Sequence, residues 1–77
     1  MNMNNKHPDQ APWHDPQGNL ISCTEKVKVL TENHREMREM LQDCFEDALL
    51  MGCDEEQFRQ ILKGLIDELE NPYHDLD

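Results

Sequence analysis

Seventy-seven residues leave room for one domain, and a chain this short buries too little apolar surface to be comfortably stable by itself. Its formal net charge of −10, from 17 acidic against 7 basic side chains, argues against direct binding to nucleic-acid phosphates or anionic lipid and leaves basic partners open. No apolar run approaches the roughly 20 residues that span a bilayer, so a membrane-embedded protein is excluded. An odd count of three cysteines, in a chain opening Met1-Asn2-Met3 with no signal-like apolar stretch, points to a reducing, cytoplasmic setting.

The first 21 residues read as an extended or disordered arm. Three of the four prolines, Pro8, Pro12 and Pro16, fall here together with Gly18, a composition that suits neither helix nor sheet. Trp13 stands out, because an unstructured arm has no need of an indole. Burying that ring is worth on the order of 2 kcal/mol, which makes docking on the helices the alternative for this residue.

A helix is expected over about residues 23–51. Ser22-Cys23-Thr24-Glu25 has the pattern of a capping box, in which the Ser22 hydroxyl and the Glu25 carboxylate satisfy N–H groups at the helix start. Apolar positions then run Cys23, Val27, Leu30, His34, Met37, Leu41, Cys44, Ala48 and Met51, in alternating steps of four and three. That is a heptad seam, with His34 as its polar member, and it predicts shallow left-handed packing against another helix. Thr31 to His34 are poor helix formers and offer a place where the helix could fold back into a three-helix monomer, but no Gly or Pro enforces a break there.

Gly52 suits the left-handed position that ends a helix. Asp54 then offers an N-cap with Gln57 as its reciprocal partner, while Cys53 and Phe58 occupy the hydrophobic-staple positions. A second helix is expected over about residues 55–70, with Phe58, Ile61, Leu62, Leu65, Ile66 and Leu69 on its apolar face and Asn71-Pro72 ending it. So short a turn admits only an antiparallel neighbour. The fold class is therefore all-α: an antiparallel helical hairpin over residues 22–71, followed by a tail over residues 72–77.

Length makes the two helices unequal partners. The first would extend roughly 43 Å and the second about 24 Å, so the stretch around Cys23, Val27 and Leu30 lies beyond the second helix's reach. Met40, Phe45, Leu49 and Leu50 also widen the apolar stripe beyond what one neighbour hides. A second copy solves both problems by pairing the long helices into a four-helix bundle. Cys23, Val27, Leu30, His34, Met37, Met40 and Phe45 are the expected interface, with Trp13 and Tyr73 as docking elements at its ends.

Catalytic chemistry has little support. Cys23 and Cys44 lie about 31 Å apart along one helix and cannot share an ion within a chain. Pro12-Trp13-His14-Asp15 and Pro72-Tyr73-His74-Asp75 repeat one order of residues, but a His-Asp neighbour pair without a held nucleophile is a weak catalytic signal. No phosphate-binding glycine loop or metalloprotease motif is present. The expectation is a non-enzymatic, cofactor-free homodimer that binds or regulates a larger protein. Two other readings are an acidic mimic that blocks a nucleic-acid-binding protein, and a metal- or thiol-dependent site formed across the dimer axis, where Cys23 of one chain could face His34 of the other.

Overall fold

The computed structural model describes residues 13–73; residues 1–12 of the expected arm and 74–77 of the expected tail, His74 and Asp75 among them, lie outside the described residues. The described residues form two helices and no strand, α1 over Thr24–Leu50 and α2 over Glu55–Asp67, which is an all-α helical hairpin. Two compact units divide the chain within α1, Met1–Asp43 and Cys44–Asp77.

In the first unit the chain does not enter α1 directly. The Ile21 N–H donates to the Trp13 carbonyl at 2.8 Å and the Asp15 N–H to the Asn19 carbonyl at 2.8 Å, with His14 and Leu20 bridged antiparallel between them. Gly18 closes the tip at φ +90°, its N–H donating to the Asp15 carbonyl. One oxygen of the Asp15 carboxylate accepts the N–H groups of Gln17 at 3.0 Å and Asn19 at 2.8 Å. Asp15-Pro16-Gln17-Gly18 is thus a tight turn of the sort in which Asp locks its own backbone, Pro presets φ and Gly takes the left-handed position. Residues 13–21, expected to be extended or disordered, form a small closed loop instead.

α1 runs without a break through Thr31–His34, so the three-helix alternative falls away. Its first intrahelical bond runs from the Val27 N–H to the Cys23 carbonyl, which places the N-cap at Cys23 rather than at Ser22. The reason is the loop: Ile21 is still tied to Trp13, and the helix opens only once the chain is clear of that bond.

The second unit holds the end of α1, the turn and α2. Cys53 N–H donates to the Ala48 carbonyl at 2.9 Å and Gly52 N–H to that of Leu49 at 3.1 Å, with Gly52 at φ +95°. These crossed bonds satisfy the last carbonyls of α1 and depend on a left-handed residue between them. Asp54, extended at φ −69° and ψ 134°, caps α2 by accepting the Gln57 N–H at 2.8 Å. The expected reciprocal bond from Gln57 is replaced by an approach of the Cys53 thiol to its side-chain oxygen at 4.0 Å. Phe58 packs on Phe45 with ring centroids 6.1 Å apart, and the Arg59 guanidinium lies 4.7 Å above the Phe45 ring while also pairing with Glu55.

α2 ends at Asp67, earlier than the expected residue 70. No basic residue stands in its last turn, and Asp67, Glu68 and Glu70 crowd the negative end of its dipole. The Glu68 N–H is shared between the Gly64 and Leu65 carbonyls and the Leu69 N–H reaches Ile66 at 3.2 Å, a tightening that unwinds the helix. Asn71 and Pro72 act beyond that point, Asn71 accepting the Tyr73 N–H at 2.7 Å in a separate turn.

Two glycine substitutions separate these conformational demands. A Cβ at Gly52 or at Gly64 meets no atom within 4 Å, so only backbone preference decides the outcome. Gly52→Ala should cost about 1–2 kcal/mol through its positive φ, whereas Gly64→Ala inside α2 should gain about 0.5–1 kcal/mol, both read from urea unfolding followed by circular dichroism.

Candidate functional site

Among the described residues no side chain is fully buried, and large hydrophobic side chains stand exposed along both helices. The heptad pattern explains where they lie. In the first unit the half-buried positions of α1 are Val27, Leu30, Thr31 and His34, spaced to share one helix face, and Trp13 meets the last two of them. The Trp13 indole Nε1 donates to Thr31 Oγ1 at 3.3 Å, and its ring meets the His34 imidazole edge to face at 5.8 Å between centroids. Further along the same unit Met37, Met40 and Leu41 remain open, at 56%, 67% and 45% exposure, so the seam continues uncovered past the loop. An open groove of about 440 Å³ also runs beside Glu25, Lys26, Val29 and Leu30.

The expected interface residues are therefore of three kinds. Val27, Leu30 and His34 sit half-buried near Trp13, Met37 and Met40 are open, and Cys23 is exposed at the start of α1. Phe45 belongs to the second unit, half-buried against Phe58. In that unit Phe45, Ala48, Phe58, Leu62 and Gly64 are half-buried, while Leu49, Ile61, Leu65, Ile66 and Leu69 are exposed. Tyr73, expected to dock like Trp13, is 63% exposed.

Thr31 entered the sequence reading only as part of a possible helix break and Asp15 only beside His14, yet one receives the indole and the other ties the loop that delivers it. Asp15-Pro16-x-Gly18 was the available signal: an acid, a proline and a glycine at turn spacing, which a reading of bulk composition passes over. The same bonds bear on the His14-Asp15 pair, since the Asp15 carboxylate is committed to backbone N–H groups.

Cys23, Cys44 and Cys53 are all free and exposed. Among the described residues no group of three or more His, Cys, Asp and Glu side chains could hold a metal ion. Cys23 differs from the other thiols in its place on the helix. The backbone N–H groups of Lys26 and then Glu25 favour its thiolate, with a smaller contribution from the Lys26 ammonium, and together they hold its pKa below the ordinary thiol value. No helix among the described residues is long and apolar enough to cross a membrane.

No protein-family model, curated protein or solved structure matches this chain.

The thiol difference can be measured. Because its pKa is lowered, Cys23 holds a larger thiolate fraction at any pH below the ordinary thiol range. Iodoacetamide labelling followed by peptide mass spectrometry should show Cys23 reacting with a pH midpoint below that of an unstructured cysteine peptide labelled alongside. Equal midpoints for Cys23 and that peptide would show that the helix N–H groups do not stabilise the thiolate.

Proposed function

We propose that this chain is a non-enzymatic interaction module that works as a homodimer and serves an accessory or regulatory role toward a larger protein. One observation carries the reading: the described residues contain no fully buried side chain, while thirteen large hydrophobic side chains stand exposed. Burying one such side chain fully contributes roughly 1.5–3 kcal/mol, and ordering one residue's backbone costs about 1–2 kcal/mol. A helical hairpin with no fully buried side chain among its described residues is short of the favourable side of that balance, and covering its exposed seam would restore it.

A second copy is the partner that the pattern favours. Leu30, His34, Met37 and Leu41 recur at heptad spacing, and the surface that best matches such a stripe is another helix of the same period. Self-association supplies that period automatically, and a two-fold axis closes the assembly. The long helices would then form the centre of a four-helix bundle. Three exposed free thiols agree with a reducing, cytoplasmic location. The bundle's acidic exterior would leave a larger, basic partner as the next layer of assembly.

Met40→Glu tests this without disturbing the chain's own contacts, because Met40 is already 67% exposed. Sedimentation equilibrium should show a dimer for the parent chain and a dissociation constant at least about 30-fold higher for the variant, given roughly 2 kcal/mol for a buried Met. Helix content at low concentration should be the same for both. A parent chain that stays monomeric at the highest attainable concentration removes the proposal.

A further inference from the structure

The stretch of α1 under Trp13 is the stretch that a second copy would need. Val27, Leu30, Thr31 and His34 are half-buried in the first unit, and the seam they begin continues through Met37 and Leu41, which are open. A partner helix in register with Met37 and Leu41 would run on across His34 and Leu30, and the indole already meets His34 and its neighbour Thr31 there. Both cannot occupy the strip.

Two features show which of the two would yield. Among the described residues the loop meets α1 through side chains, an indole hydrogen bond of 3.3 Å to Thr31 and an edge contact to His34, which a partner helix can replace. The loop's hold on itself is far stronger, with Asp15 and its neighbours tied by backbone bonds of 2.8–2.9 Å and two bonds to one carboxylate oxygen. It can therefore lift from the helix as a preformed unit, without unravelling and without the ordering cost that a loose segment would incur on return.

Resting on the homodimer reading above, we infer that the Trp13 loop is an internal stand-in for the second subunit: it covers the first half of the seam in the monomer and is displaced when two chains pair. The contact that must be broken opposes association, so the closed loop sets the concentration at which the dimer forms. Any ligand or modification that holds the indole off α1 would act as an activator of pairing.

Trp13 is the only tryptophan in the chain, which makes its emission a direct report on the loop. The test uses the full chain and its Trp13→Ala and Thr31→Val variants, followed by sedimentation equilibrium, with fluorescence of the parent across the same concentrations. Thr31→Val keeps the side-chain volume but removes the acceptor of the indole N–H. Trp13→Ala is expected to dimerise about tenfold more tightly than the parent, and Thr31→Val to shift the same way by less, consistent with one modest contact. Parent emission should move to longer wavelength as the dimer forms. If all three proteins dimerise with equal strength, or Trp13→Ala dimerises more weakly, the loop is not a competitor and the homodimer stands without it. If none associates, the homodimer reading itself fails, and the competition with it.

Discussion

A helix buries a side chain only where another element lies across it, and that constraint shapes everything in this molecule. α1 is 27 residues long, about 40 Å at the standard rise, whereas α2 has 13 residues and extends about 20 Å. Among the described residues of the first unit, a loop lays one aromatic ring against α1. Each unit reaches half-burial at a few positions and full burial at none among the described residues. The apolar stripe runs on while the material over it is local, and the proposal of a second copy rests on this mismatch.

The parts of the fold that could be read from the sequence are those settled by a few neighbouring residues. Gly52 ends α1 because its left-handed backbone lets two N–H groups return to the helix, and Asp54 starts α2 because a short acidic side chain reaches the Gln57 N–H. The heptad steps placed α1 with errors of one residue at each end. What escaped were places where two local preferences compete. Ser22 and Glu25 have the right spacing for a cap, but the bond from Ile21 to Trp13 carries the chain past that point and leaves the cap to Cys23. Asn71-Pro72 is a sound stop signal, yet the unfavourable charges at the end of α2 act first.

The candidate site was legible in the same uneven way. Periodicity places Val27, Leu30 and His34 on one face of α1, where they are half-buried, but it places Met37 and Leu41 on that face too, and those are open. That an indole from upstream would rest on them depends on the direction in which the Asp15 turn sends the chain, and composition carries no direction. Likewise the three cysteines look alike in a count; position at a helix start distinguishes Cys23 through the backbone N–H groups it meets there.

The tight bonding around Asp15 also has a kinetic meaning. A closed hairpin of this size forms in about 1–10 µs, whereas two copies at micromolar concentration meet productively on the order of once a second. The loop precedes α1 in the chain, so during synthesis it is available before the helix it covers is complete. On the proposed pairing, each new molecule therefore closes its loop long before it meets a second copy, and self-closure is the first event in its life.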